Sequence, residues 1–159
     1  MVGSGSPRHL EVLDESECRR LLTTAVIGRL AYTEGALPAI RPVHFTVADG
    51  RVIIPTRLGS KVAAAARGAV VAFEVDDYDA AGRTGWNVTV IGPSRVVREP
   101  DEVRSLDGLG VRAWSLPDRP CYVAVQIAIV RGRRLTSGSP AASSSGPAMS
   151  AGIPSAAGE

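Results

Sequence analysis

Four apolar residues recur at helical spacing near the start of the chain: Cys18, Leu21, Leu22 and Ala25. This spacing places their side chains on one face of an α-helix. Asp14 can cap the N-terminus of that helix, with Glu17 three residues later as its capping-box partner. The pattern therefore predicts a first helix that begins after Asp14 and ends before Gly28.

Most of the remaining apolar residues alternate with polar ones or form short runs between turn residues. Asp49-Gly50 is a strong hairpin signal, and Gly92-Pro93 indicates a bulge within a long strand. Six strands are predicted, at residues 29–33, 37–48, 51–55, 69–76, 86–97 and 122–130. Two further short helices are predicted, one ending at Gly68 and one over residues 100–109 with Pro100 in its first turn.

The order of these elements determines the fold class. Strands joined by tight connections, with three short helices, favour a mainly β (α+β) antiparallel barrel whose ends are covered by helices. No alternation of strands and helices is visible, so a doubly wound parallel sheet is disfavoured.

The composition changes at both ends of the chain. Residues 1–8 are rich in Gly, Ser and Pro and are expected to form a flexible arm. Residues 136–159 consist largely of Ser, Ala, Gly and Pro and are expected to be a disordered tail. Residues 9–135 are therefore expected to form one folded domain.

Charge and cysteine content exclude several classes of function. The formal charge is +2 and Lys61 is the only lysine, so the basic patch that nucleic-acid binding requires is not expected. No apolar segment approaches the length of a membrane span. Cys18 and Cys121 form neither a disulfide framework nor a metal-binding motif. We expect a cytoplasmic protein without a metal site.

The sequence PTRLGSK at residues 55–61 resembles a phosphate-binding loop but lacks the first glycine of a P-loop. Ser60 can cap the helix that follows, and Thr56 adds a second hydroxyl. Lys61 lies at the positive end of that helix, which is unfavourable unless an anion offsets it. Two interpretations remain open: a phosphate site, or a capped helix with a solvated lysine.

Five segments in order resemble the pyridoxamine 5′-phosphate oxidase-like family of FMN-binding split β-barrels: PAIRPVHF, DGRVIIPTRLGSK, VAFEVD, TGWNVTVIG and VRGRRL. The resemblance covers about residues 15–135. It implies a six-stranded split barrel with short flanking helices that forms a homodimer, with FMN in the groove between the two protomers.

The resemblance also implies which residues contact the cofactor. Thr56, Ser60 and Lys61 would hold the FMN phosphate. The other candidates would lie beside the flavin ring and ribityl chain: Arg41, Val43, His44, Phe45, Trp86 and Asn87. Alternative interpretations are a surface arginine at Arg41, a hydrogen-bonded or solvent-facing histidine at His44, and a core or dimer-interface tryptophan at Trp86.

One departure from the family bears on activity. Pyridoxamine phosphate oxidases carry a C-terminal segment with Arg and Trp residues that hold the substrate phosphate, and here the Ser/Ala/Pro-rich tail replaces it. The sequence thus favours an FMN-dependent oxidoreductase acting on a small molecule or electron acceptor, rather than a true pyridoxamine phosphate oxidase. The alternatives are a flavin-binding or redox-sensing module without turnover, and a reductase that uses the deazaflavin F420. No catalytic residue can be assigned.

Overall fold

A computed structural model describes residues 8–111 and 120–138. In these two ranges nine strands and three helices are found. The strands are β1 Arg8–Leu13, β2 Ile27–Glu34, β3 Leu37–His44, β4 Thr46–Ala48, β5 Arg51–Arg57, β6 Val70–Asp79, β7 Thr84–Val97, β8 Pro120–Gln126 and β9 Ile129–Ser137. The helices are α1 Glu15–Leu22, α2 Lys61–Ala65 and α3 Pro100–Asp107.

All the strand pairs are antiparallel, and together they form a split β-barrel. The strand order is β3-β2-β6-β7-β8-β5-β4, while β9 pairs with both β7 and β1. Strand β7 serves both halves of the barrel: its residues 85–91 pair with β9, and residues 94–97 pair with β8. This confirms the predicted mainly antiparallel fold class.

The change of partner along β7 occurs at Gly92. A Cβ atom at this position would lie 1.8 Å from the carbonyl oxygen of Gln126. Only glycine therefore lets the two backbones approach closely enough for β7 to pass from β9 to β8. The Gly92-Pro93 signal in the sequence marks this crossing.

The prediction of six strands is wrong, because two predicted strands are each divided in two and one further strand, β1, is present. The predicted strand 37–48 is interrupted at Phe45, which separates β3 from β4. The predicted strand 122–130 is interrupted at residues 127–128, where β8 ends and β9 begins. Strand β1 pairs only with the distant β9, so the local pattern gave no sign of it.

Helix α1 begins as predicted. The side chain of Asp14 accepts a hydrogen bond of 2.8 Å from the backbone N–H of Glu17, and Cys18, Leu21 and Leu22 are buried. The helix ends at Leu22, earlier than the pattern suggested, and Ala25 lies outside it. The hydroxyls of Thr23 and Thr24 donate to backbone carbonyls in the last turn, which favours termination at this point.

The core consists of two groups of buried side chains. The larger group takes side chains from α1 and from strands β2, β5, β6, β7 and β8, and within it the rings of Phe45 and Phe73 meet edge to face with centroids 4.7 Å apart. The smaller lies under α3, around Ile53 and Tyr122. The hydroxyl of Tyr122 donates a 2.6 Å hydrogen bond to Asp107 and thereby holds the end of α3.

Most of the predicted arm (1–8) and tail (136–159) lies outside the described residues. In the described part, β1 begins at Arg8 and β9 runs to Ser137. None of the helices found there has the length and apolar character needed to span a membrane.

Candidate functional site

The turn between β5 and α2 brings two hydroxyl groups together. Thr56 lies near the end of β5, and Gly59 adopts a φ of +81°, which glycine alone takes without strain. Ser60 caps α2 by accepting a 3.0 Å hydrogen bond from the N–H of Ala63. Its Oγ also lies 2.9 Å from Oγ1 of Thr56. The predicted cap is confirmed, and it places both hydroxyls at the start of the helix.

The predicted end of this helix is wrong. Gly68 has a positive φ of 72°, but the C-cap residue is Ala66, two positions earlier. The backbone N–H of Gly68 donates to Ser94 and to Ala66 instead. The helix is therefore one turn long, and its end is held by β7.

Lys61 begins α2 and forms an ion pair with Glu34 at the end of β2. Its Nζ lies 2.7 Å from Oε1 of the glutamate. Both residues border a surface cleft of about 350 Å³. The anion that the sequence argument required to offset the lysine is thus present within the protein, as a carboxylate.

Arg41 lies on the neighbouring edge strand β3, outside the set of residues that border this cleft. Its guanidinium lies beside the hydroxyl of Tyr32, which is the main factor that raises its pKa, and it is also attracted by Glu34. The Tyr32 hydroxyl is buried, so this guanidinium is the polar group that offsets the cost of burying it.

Strand β3 is the edge of the sheet, as Pro42 suggested. Val43 packs against the core, and Phe45 is buried against Phe73. His44 points to the opposite face of the strand from Val43 and lines a separate cleft of about 440 Å³ with Val26. The side chain of Phe45 is therefore part of the core.

Trp86 and Asn87 lie in the middle of the sheet, on β7. Successive strand residues point to opposite faces, and both of these residues border one surface cleft of about 330 Å³. Trp86 packs against the core and also lines a second surface cleft, of about 640 Å³. Asn87 is paired in register with Asp76 on one side and Arg133 on the other.

The nine predicted site residues therefore fall into two groups. One group lies around α2 and the edge strand: Arg41, Val43, His44, Phe45, Thr56, Ser60 and Lys61. The other, Trp86 and Asn87, lies on β7.

Glu34 and Tyr32, which contact Lys61 and Arg41, were not predicted from the sequence as site residues. Glu34 directly follows the predicted strand 29–33 and precedes Gly35, a sequence typical of a turn. Tyr32 had the pattern of an ordinary core residue. Nothing local to either residue indicates its role, because both act on residues distant in the sequence.

The first group has the donors that a phosphate takes. Two hydroxyls, one ammonium and one guanidinium provide hydrogen bonds, and Lys61 and Arg41 outnumber the carboxylate of Glu34 by one positive charge. These residues therefore fit the phosphate end of a flavin nucleotide.

The amino-acid sequence matches one protein family and is similar to a mycobacterial protein. The family model for pyridoxamine 5′-phosphate oxidase matches residues 14–134. The uncharacterized protein Rv0080 of Mycobacterium tuberculosis is 42% identical over 139 residues, covering 84% of this chain and 91% of that protein.

Solved structures share the fold. An FAD-binding protein from Mycobacterium smegmatis is 31% identical, with a TM-score of 0.66, covering 78% of this chain and 98% of its own. An FAD-binding protein from Mesorhizobium loti is 22% identical, with a TM-score of 0.69, and the match covers 82% of this chain and 99% of that protein. At this identity the match shows a shared fold alone. By the extent of the family match, the chain belongs to the pyridoxamine 5′-phosphate oxidase family.

Proposed function

We propose that this protein binds a flavin nucleotide, FMN, with its phosphate at the start of α2. The observation that carries the proposal is the pair of hydroxyls of Thr56 and Ser60, 2.9 Å apart, beside Lys61. Charge-assisted hydrogen bonds from such donors contribute roughly 1.5–3 kcal/mol each. The similarity to an FAD-binding protein at 31% identity supports a flavin as the ligand.

The second part of the proposal is a homodimer. Asn87 lies on the outer face of the sheet, away from the core, and apart from the α2 turn. In a dimer the outer face of one protomer can cover the ring end of a flavin whose phosphate is held by the other. Exposed apolar side chains on this face, including Ile40 and Val70, support its burial against a second copy.

A bound flavin supplies two-electron redox chemistry, and the protein contributes binding and orientation. In this proposal Thr56, Ser60, Lys61 and Arg41 anchor the phosphate. Asn87 orients the ring by hydrogen bonding from the partner protomer, and Val43 excludes water. The resulting activity is that of an FMN-dependent oxidoreductase which reduces a small molecule or electron acceptor in the groove, in the cytoplasm.

Three alternatives fit the same site. The FAD-binding relative favours FAD as an alternative ligand. The absence of an acid–base pair among the described residues of the first group favours a flavin-binding or redox-sensing module without turnover. An F420-dependent reductase is the third alternative.

The experiment that tests the proposal is purification followed by release of the bound ligand. A yellow protein that releases FMN, identified by mass, is the expected result. Release of FAD alone would replace FMN with the alternative, and a colourless protein that binds F420 but no flavin would overturn the proposal. Consumption of a reduced nicotinamide with an electron acceptor then separates an enzyme from a binding module.

The Lys61→Ala variant tests the anchor. It is expected to weaken FMN binding at least tenfold without changing the affinity for riboflavin, which lacks the phosphate. Arg104→Ala on the exposed face of α3 is the matched control, because it removes a cation remote from the turn. Equal FMN affinity in the Lys61→Ala variant and the native chain would contradict the phosphate assignment.

A further inference from the structure

The ion pair between Lys61 and Glu34 has a consequence for ligand binding. In the ligand-free chain the ammonium that would bind a phosphate already contacts a carboxylate, at 2.7 Å. Among the residues that border this cleft, which are Thr33, Glu34, Gly35, Lys61 and Ala64, the single carboxylate is that of Glu34. A phosphate that enters here must therefore take Lys61 from Glu34.

The pair is arranged so that it can open. The side chain of Lys61 is 71% exposed and that of Glu34 is 34% exposed. Ion pairs this exposed are weak, because water and salt screen the charges and the long side chains lose freedom when they are held. A dianionic phosphate offers Lys61 more charge and also receives bonds from Thr56 and Ser60.

Glu34 also faces the second cation of the site. Its carboxylate attracts the guanidinium of Arg41 on β3. This attraction is the smallest of the factors that act on the guanidinium, which has the Tyr32 hydroxyl as its main partner.

We infer that Glu34 is a specificity-determining residue that competes with the ligand's phosphate for Lys61 and lowers the affinity for phosphate-bearing flavins. This inference rests on the proposed function and adds a regulator of affinity to the same site. Glu34 acts on phosphate binding alone, so it leaves the affinity for the flavin ring unchanged.

The test compares the affinities of the native chain and the Glu34→Gln variant for FMN, FAD and riboflavin, measured by fluorescence titration. Glu34→Gln is expected to bind FMN and FAD three- to tenfold more tightly and riboflavin with unchanged affinity. The gain is expected to shrink at high ionic strength because the charges are exposed. Glu99→Gln, an exposed carboxylate before α3, is the matched control for loss of one negative charge.

A double-mutant cycle tests whether the effect of Glu34 on FMN affinity depends on Lys61. If Glu34 acts by competing for Lys61, the gain from Glu34→Gln disappears in a Lys61→Ala background. A gain that persists there would overturn the competition. Thermal melting of each variant verifies that the fold is intact.

The outcomes separate this inference from the proposed function. If the native chain binds neither FMN, FAD nor riboflavin, the proposed function fails and this inference fails with it. If the native chain binds FMN and Glu34→Gln binds it equally, the inference alone is overturned.

Discussion

Ser60 accepts a hydrogen bond of 3.0 Å from the backbone N–H of Ala63 and so caps α2. The same oxygen is within hydrogen-bonding distance of the Thr56 hydroxyl. Ser60 therefore has a structural role in the ligand-free protein and, in the proposed function, a second role as a phosphate donor. The two roles can be separated by substitution.

Replacing Ser60 with aspartate is expected to preserve the capping of α2 and to abolish binding of the FMN phosphate. Aspartate caps helices as well as serine does, so the free energy of unfolding in urea should be close to that of the native chain. Its negative charge should weaken FMN binding at least tenfold and leave riboflavin binding unchanged. Ser60→Ala is expected to lose about 1 kcal/mol of stability, with Ser105→Ala on α3 as control. Native-like FMN affinity in Ser60→Asp would contradict the assignment.

The features that the sequence predicted correctly are those in which the interacting residues lie close together in the chain. Asp14 and Ser60 each bond a backbone N–H three residues later, so a short window contains both partners. The pairing of Lys61 with Glu34 joins residues far apart in the sequence. It depends on the packing of α2 against β2, which no local pattern specifies.

The same distinction explains the errors in the strands. The residues around Phe45 read as one continuous strand, but packing of its ring on Phe73 separates β3 from β4. The bulge predicted at Gly92-Pro93 is not present in the pairing of β7 with β6, whose register is continuous through these residues. Glycine is required at position 92 for its close approach to the carbonyl of Gln126, which depends on the distant strand β8.

The proposed dimer predicts an effect of charge on the outer face of β3. Ile40 and Val70 are 68% and 69% exposed, and burying an aspartate in their place between two protomers would be unfavourable. Ile40→Asp is expected to convert a dimer into a monomer in analytical ultracentrifugation and to reduce flavin affinity. Leu109→Asp, an exposed apolar residue after α3, is the control. A native chain that is monomeric at all concentrations would overturn the dimer.

Gly92 is expected to tolerate no side chain. The Cβ atom of an alanine would lie 1.8 Å from the carbonyl oxygen of Gln126, in backbone that a neighbouring strand holds fixed. Gly92→Ala should therefore destabilise the fold severely, by more than about 4 kcal/mol, and yield little soluble protein. Gly108→Ala is the matched control, because its φ of −63° suits any residue and the nearest atom is 3.3 Å away. Normal expression and melting of Gly92→Ala would show that the crossing can relax.

Glu17 is expected to make stability depend on pH in the acid range. Hydrogen bonds from Arg20, and then from Arg134 on β9, lower the pKa of its carboxyl from 4.5 to about 2. Because the unfolded chain binds this proton more readily, the contribution of Glu17 is complete above about pH 4.5 and is lost as the pH falls towards 2. In urea unfolding across this range, the stability difference between the native chain and Glu17→Gln should shrink with falling pH. Glu15→Gln, which removes the exposed partner of Arg19, is the control. A difference that stays constant from neutral pH to pH 2 would show that the carboxylate does not link α1 to β9.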